Sequence, residues 1–298
     1  MNRFKLACIG ALSSVSLYGE HFLTFIMPCY NSERTVIESL DSIYNQKNLR
    51  VSFEVICCDD GSTDSTRTLL EEYAQQHPSL KVLVHNSNQG GAEARNTCVY
   101  NSRGDIIFCL DSDNVLEPDS VQALIDLMDE TGCEGASFAE IWFFYDMPNG
   151  EKNRSSTWIY HAPNNRSVLK DLVTVFHVPA SSGNYLYTRE SFDRAGGYLT
   201  TPDAGGAFDA WTFGFRQAAT GTVIAVLPGS HYLHRIWRDR DSYYCREQKN
   251  GNNGRNGFAV LREFMDFFDE QTQKLLMNNP DPRSFFDIVN NHLIRLAQ

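Results

Sequence analysis

The sequence predicts an α/β protein with a mostly parallel central sheet flanked by helices and a helical C-terminal tail. Three observations carry this prediction. Short apolar runs alternate with helically spaced segments from residue 21 to about 132, and two of those runs end in acidic loops. At 298 residues, with 42% hydrophobic and 21% charged residues, the chain is also large enough to bury a full α/β core.

The elements read off in order. His21 to Pro28 is the first strand, and Asn31 and Ser32 offer caps for a helix carrying Val36, Ile37, Leu40, Ile43 and Tyr44 at helical spacing. Phe53 to Cys58 is a second buried strand that opens into Asp59-Asp60-Gly61-Ser62, followed by a helix with Leu69, Leu70 and Tyr73 on one face. Lys81 to His85 is a short third strand, and Gly90-Gly91 leads into a helix through Arg95 and Asn96. Asp105 to Leu110 is the fourth strand. Pro118 stands near the first turn of the next helix, whose apolar face is Val121, Leu124, Ile125 and Met128 and which Gly132 can end. Strands alternating with helices imply right-handed crossovers and a parallel sheet, in which ligands bind beyond the carboxyl ends of the strands.

Beyond residue 134 the pattern loosens. Phe138 to Tyr145 reads as strand and residues 146–166 as a mobile polar loop. Asn184 to Thr188 reads as strand, with a short helix after it up to Gly196-Gly197. Phe208 to Ala219 reads as helix and Thr222 to Leu227 as strand. Leu261 to Met277 and Phe285 to Leu296 form the helical tail.

The formal net charge of −11 argues against nucleic acid as a partner, because phosphate backbones need a basic surface. Eight cysteines without a C-x-x-C pair read as reduced core thiols; Cys57 and Cys109 lie inside apolar runs. Arg3 and Lys5 precede an uncharged stretch from Leu6 to Tyr18 that has the form of a signal peptide or an anchor and is short for a membrane span.

The most informative motif is Asp111-Ser112-Asp113 at the end of the fourth strand. In an extended segment residues i and i+2 point to one side, so both carboxylates are expected to face one point. Paired acids at a sheet edge suit a hard divalent cation such as Mg²⁺ or Mn²⁺, which takes oxygen ligands and leaves positions for substrate phosphates.

Taken in order, Pro28-Cys29-Tyr30-Asn31, Asp59-Asp60-Gly61-Ser62-Thr63-Asp64, Asn88-Gln89-Gly90 with Ala94-Arg95-Asn96, and Asp111-Ser112-Asp113 resemble the family 2 glycosyltransferases of GT-A fold. The likeness is close over residues 22–130 and looser to about 238. Behind the signal-like or anchoring segment at 1–20, it implies a glycosyltransferase domain at 21–238. That domain has a nucleotide-binding half at 21–132 and an acceptor half at 133–238, with a helical extension at 239–298.

The resemblance further implies an inverting, metal-assisted transfer of a sugar from a nucleotide donor, UDP-linked by the expected base contact. The acceptor would be a hydroxyl on a saccharide, a lipid-linked glycan or a protein. On this sequence, Pro28 and Tyr30 would line the nucleotide pocket, Asp60 would accept from the base edge, and Arg95 would approach the base or diphosphate. Asp111 would contact the ribose or the metal's water shell, Asp113 would bind the metal, and His234 would complete its shell. Gly196-Gly197-Tyr198 followed by Phe208-Asp209-Ala210-Trp211 makes Asp209 the expected general base, with Asp203 as the alternative. Phe208 stands where an acid is more common. Trp211 would stack on a sugar ring or pack in the core, and Arg235, Arg238 and Arg240 would close over the diphosphate or lie solvated. A catalytically inactive nucleotide-sugar binder and a nucleotidyltransferase are the competing readings. Nucleotide sugars are cytoplasmic, so a cytoplasmic location is expected, membrane-associated through the N-terminal segment or, alternatively, exported by it.

Overall fold

The computed structural model describes residues 21–174, 178–202, 205–237 and 243–297. The signal-like segment at 1–20, Asp203, Arg238 and Arg240 lie outside the described residues. The elements run β1 (Phe22–Cys29), α1 (Val36–Tyr44), β2 (Ser52–Asp59), α2 (Thr66–Gln76), β3 (Leu80–Val84), α3 (Gly91–Tyr100), β4 (Ile106–Cys109) and α4 (Ser120–Thr131). They continue with β5 (Gly135–Asp146), β6 (Lys152–Ile159), β7 (Arg166–Ser167), α5 (Leu169–Thr174), β8 (Leu186–Thr188), α6 (Arg189–Ala195), α7 (Asp209–Ala219) and β9 (Ile224–Arg235). The C-terminal part holds α8 (Tyr243–Lys249), α9 (Asn252–Glu263), α10 (Glu270–Met277) and α11 (Phe285–Asn290).

One sheet organises the molecule, in the order β3-β2-β1-β4-β8-β5-β9-β7, with β6 paired to β5. The pairs β1–β2, β1–β4, β2–β3 and β5–β9 are parallel, and β6, β7 and β8 run against their neighbours. Six strands therefore share one direction. Helices cover both faces, so the central strands are apolar on both sides. Leu23, Phe25, Met27, Val55 and Phe108 pack against α1 and α4 residues on one face, while Ile26, Ile56, Ile107 and Cys109 meet α3 and α7 residues on the other. Cys29, Cys57, Cys58, Cys98 and Cys109 are free, buried thiols, and burial pushes the Cys109 thiol up to about 12.

Several elements depart from the sequence reading. Within 146–166, residues Lys152–Ile159 form β6, antiparallel to β5, because the 12-residue β5 outruns β8 and leaves an edge that β6 pairs. β8 enters the sheet antiparallel between β4 and β5, an insertion the βα alternation does not announce. β9 continues to Arg235, passing Gly229 (φ 72°) where its register with β5 shifts. The tail is broken: Met265–Phe267 is a 3₁₀ turn, Asp269 caps α10 by accepting from Thr272 N, and α11 stops at Asn290.

Asn31 and Ser32 do not cap α1 through their side chains. The Ser32 carbonyl accepts from Thr35 N and Val36 N, and Asn31 adopts φ 50° so that its Oδ1 accepts from Thr63 N at 2.8 Å. Asn31 thus ties the loop after β1 to the loop after β2.

The C-terminal helices share the core on the α7 face. The Phe285 ring meets Phe208, Trp211 and Phe258 edge-on at 5.8, 5.4 and 5.0 Å. Close approach requires glycine in α9, since a Cβ at Gly254 would lie 1.8 Å from the Pro282 carbonyl oxygen. Asn256, fully buried on the same helix, donates to the carbonyls of Gly205 and Ala207, just ahead of α7.

Candidate active site

The site forms where the loops after β1, β2 and β4 meet the N-terminus of α7 and the end of β9. Hydrogen bonds knit these segments together. Asp60 N donates to the Cys29 carbonyl, Ser32 and Ser112 share a 2.7 Å hydroxyl bond, and Thr35 Oγ1 donates to the Ser112 carbonyl at 2.9 Å.

Asp60 departs from its expected role. It is 2% exposed, and its carboxylate accepts from His85 Nδ1 (2.6 Å), Gln89 N (2.9 Å) and Gly90 N (2.8 Å). It therefore builds the loop that leads into α3, and no open edge remains to meet a base. Asp59 is equally buried, and its Oδ1 has no hydrogen-bond partner. Pro28 lies half-buried at the end of β1, and Tyr30, at 46% exposure, presents its ring to solvent beside it.

The Asp111-Ser112-Asp113 segment is a turn closed by Asn114 N donating to the Asp111 carbonyl at 3.0 Å, so the extended geometry expected for it does not hold. The two carboxylates consequently diverge. Asp111 accepts from Arg95 Nη2 at 2.5 Å and from Asn184 Nδ2 at 3.0 Å. Asp113 accepts from Trp237 Nε1 at 3.2 Å, and its charge is felt by His234. The two acids still act on each other through their charges. Burial raises the Asp113 pKa, the Asp111 charge adds to this, and His234 opposes it.

Arg95 is the hub. Its buried guanidinium pairs with Asp111 and with Asp209, and its Nε donates to Cys109 Sγ at 3.3 Å. Burial disfavours its charge, but the two carboxylates outweigh that and hold its pKa well above the ordinary value. The fit depends on Gly91, where a Cβ would meet Arg95 Nη1 at 2.8 Å and Asp209 Oδ2 at 2.9 Å. Asp209 opens α7, where the helix dipole favours a negative charge. Burial raises its pKa, Arg95 lowers it, and the Asp111 charge raises it again.

Phe208 explains the missing second acid. It sits in the left-handed region (φ 62°), is 6% exposed, and stacks on Trp211 at 5.0 Å and 7°. An aromatic cluster with Phe285 and Phe286 fills the place where a second carboxylate would stand. Trp211 must be corrected with it: at 1% exposure, stacked between Phe208 and Phe215, it is core and cannot reach a sugar.

His234 is the penultimate residue of β9, with its Nδ1 3.4 Å from the Tyr232 hydroxyl and its ring against Phe143. Burial lowers its pKa, and the Asp113 and Asp111 charges oppose that shift. Arg235 is no solvated or closing residue. It is buried, paired with Glu38 and Asp146, and donates from Nε to the Asp113 carbonyl at 3.1 Å. Its backbone N–H donates to Asn114 Oδ1, so it braces the acidic turn from behind.

Sequence reading missed Asn184, Asn114, Arg235 and Trp237 as supports of this turn. Asn184 and Asn114 are fully buried amides whose partners lie about 70 residues apart in the chain, and no local pattern marks them. Among the described residues, no three His, Cys, Asp or Glu side chains converge to hold an ion unaided. The donor set still fits a hard cation that takes one or two carboxylates and fills its remaining positions with phosphate and water. Asp111 and Asp209 share the one Arg95 guanidinium, and Asp113 adds a third carboxylate beside them while Arg235 is paired with Glu38 and Asp146, an excess of negative charge that suits a cation.

The arrangement has known counterparts. The profile of Glycosyl transferase family 2 matches residues 24–196. Chondroitin synthase of Escherichia coli is 36% identical over 115 residues, which is 39% of this chain and 16% of that protein. The β-1,3-glucosyltransferase WfgD of Escherichia coli, named for UDP-Glc and a GlcNAc-diphosphoundecaprenol, is 32% identical over 109 residues, 37% of this chain and 42% of that protein. The aligned part of the chain thus spans less than half the length of these curated relatives.

Among solved structures, TarS 1–349 of S. aureus in complex with UDP-GlcNAc superposes with a TM-score of 0.59 at 20% identity, over 91% of this chain and 71% of that one. The mannosyltransferase PcManGT of Pyrobaculum calidifontis, in complex with GDP-Man and Mn²⁺, gives 0.60 at 18%, over 92% and 72%. These likenesses show a shared GT-A fold. With its profile matched over more than half its length, the chain belongs to glycosyl transferase family 2.

Proposed function

We propose that this protein transfers a sugar from a nucleoside diphosphate donor, UDP-linked, to an acceptor hydroxyl with inversion at the anomeric carbon. The observation that carries the reading is the pairing of buried Arg95 with half-buried Asp111 and Asp209 at the carboxyl edge of the sheet, with half-buried Asp113 within reach of the Asp111 charge. The names of the relatives support the donor class, since UDP-Glc and UDP-GlcNAc appear in them.

Asp113 and Asp111 would hold a divalent cation, Mn²⁺ or Mg²⁺, with His234 completing its shell. When bound, that ion would stabilise charge on the departing diphosphate. Tyr30 and Pro28 would flank the nucleotide, and Asp60 would shape the pocket through the 85–90 loop. Asp209 would take the proton from the attacking hydroxyl. Its burial raises its proton affinity, and Arg95 fixes its orientation. The acceptor class is a saccharide, a lipid-linked glycan or a protein. Among the described residues no helix is long and apolar enough to cross a membrane. A cytoplasmic site of action suits a nucleotide-sugar donor.

The test is nucleoside diphosphate release from UDP-Glc and UDP-GlcNAc with Mn²⁺ or Mg²⁺, in wild type and Asp113→Ala. Metal-dependent release that Asp113→Ala abolishes supports the reading; unchanged metal-dependent release in the variant rejects the site. Phe208 in place of an acid favours one competing reading, a non-catalytic nucleotide-sugar binder. Tight UDP binding without transfer to any acceptor would establish that alternative.

A further inference from the structure

We propose that Asn256 on α9 is a positioning residue for Asp209, fixing from the C-terminal extension the segment that carries the base. The inference rests on the sugar-transfer reading above. Asn256 lies outside residues 24–196, which the family profile matches, so family membership does not announce it. Its three hydrogen bonds join residues 49 to 55 positions apart in the chain, and all of them end on the stretch just ahead of α7.

Asn256 is fully buried, and its amide is used at both ends. Nδ2 donates to the Ala207 carbonyl at 2.7 Å and to the Gly205 carbonyl at 3.1 Å, while Oδ1 accepts from Thr201 Oγ1 at 2.6 Å. Two carbonyls demand a double donor between them, so one orientation of the amide fits. A carboxylate of the same shape would set an oxygen against both carbonyl oxygens. An apolar side chain would take this donor from the Ala207 carbonyl in a fully buried residue. Thr201 and Gly205 are also joined to each other, by Thr201 N to the Gly205 carbonyl at 3.0 Å and Gly205 N to the Thr201 carbonyl at 2.7 Å. Asn256 grips this closed unit on both of its sides.

α3 fixes the same segment a second time. A Cβ at Gly206 would lie 2.6 Å from the Ala92 Cβ, so the chain passes α3 at the closest approach glycine allows. Arg95, one turn further along that helix, pairs with Asp209. The segment is therefore referenced both to α9 and to the helix that supplies the partner of the base.

The need for such a grip lies in Phe208, which stands between Ala207 and Asp209 in the left-handed region at φ 62° and ψ 26°. A side chain stays in that region only where its surroundings over-determine it. Phe208 is held on one side by its ring, stacked on Trp211, and on the other by the Ala207 carbonyl in the grasp of Asn256. Without that grasp Phe208 would relax to negative φ, and the first residue of α7 would turn away from Arg95. A second tie between α9 and α7 lies at the far end of α7, where Arg216 pairs with Glu263 at 2.6 Å. That pair docks the helix, whereas Asn256 aims its first residue.

The test is UDP release from UDP-Glc and UDP-GlcNAc by the full chain with Mn²⁺, water serving as the acceptor, with amide exchange over residues 205–212 read in parallel. Asn256→Ala should lower kcat per folded molecule by about 10- to 100-fold and leave the donor KM and UDP affinity unchanged. Thr201→Val, which keeps the shape and removes the hydroxyl donor, should lower kcat in the same sense, and Thr201→Ser should restore it. Glu263→Gln, which breaks the other tie between the helices, should leave kcat unchanged. The Thr201 pair decides the matter if Asn256→Ala does not fold. Unchanged kcat in Asn256→Ala, an equal loss in Glu263→Gln, or Thr201→Ser as impaired as Thr201→Val overturns the proposal. Exchange over 205–212 should rise in Asn256→Ala or Thr201→Val and not in Glu263→Gln; no rise overturns the hold whatever the activity. A wild type that releases no UDP, with that rise still present in the variants, would sink the transferase reading and leave the hold on the segment standing.

Discussion

The two halves of the sheet contrast in how they are built. In β1 to β4 every strand is parallel, each crossover is one helix, and the acidic loops fall at the ends of β2 and β4, on either side of β1. In β5 to β9 the strands run both ways, one is inserted from the opposite direction, and the helices that complete the core arrive from beyond residue 250. The first half supplies the acids at 111 and 113, while Asp60 is turned inward onto His85 of the same half. The second supplies the groups that orient them: Asn184, Arg235, Trp237 and the N-terminus of α7. Ligand-facing charge and its support thus come from segments with very different folding logic.

The largest expected effect tests whether the second half carries the base. Asp209→Asn should lower transfer by about 10²–10⁴ while UDP affinity is retained, as scored by calorimetry beside a transfer assay. Full activity would move the role to Asp203 or elsewhere.

Next comes the tail. Phe285→Ala removes a fully buried ring from the cluster holding Phe208 and should cost about 3–5 kcal/mol in urea unfolding. It should also reduce the activity of the folded fraction, because Asp209 follows Phe208 directly. Leu70→Ala in α2, equally buried, should cost about 2–5 kcal/mol and leave that activity unchanged. Equal activity losses in the two variants would erase the distinction between halves.

Arg235→Met should cost about 3 kcal/mol, the lower end for breaking a buried pair, because Glu38 and Asp146 keep partial access to water. Its sharper signature is a weakened metal response in activity assays, since the Asp113 carbonyl loses its brace.

The smallest effect lies in the first half and depends on pH. Burial would raise the Asp64 pKa, but the Thr66 hydroxyl and N–H, with Glu33 N–H, outweigh it and hold the carboxylate below its ordinary value. A depressed carboxylate contributes stability that is present above the unfolded pKa, about 4, and is lost as pH falls through the folded value. Asp64→Ala should therefore flatten the acid limb of the stability profile. An unchanged limb would assign it to other groups.

The legible part of the protein follows a physical rule. β1, β2, β4 and α4 were readable because two-sided burial and helical periodicity are written in consecutive residues. β6 was not, since an exposed edge strand such as Lys152–Ile159 carries the composition of a loop and exists only because β5 offers an edge. Trp211, expected either on a sugar ring or in the core, is core for a related reason. Local pattern marks a tryptophan, and whether it is covered depends on Phe285 more than 70 residues away.

By itself the sequence determined the alternation of strands and helices, and hence the edge on which Asp60, Asp111 and Asp113 emerge. Strand direction and period are local properties of the backbone. Tertiary structure alone decided which carboxylates are closed by neighbours and which face the cleft. It turned Asp60 inward onto His85, split Asp111 from Asp113, and joined Asp111 to Asp209 through Arg95. Hydrogen bonding and desolvation depend on partners brought together by packing, and no spacing along the chain encodes them.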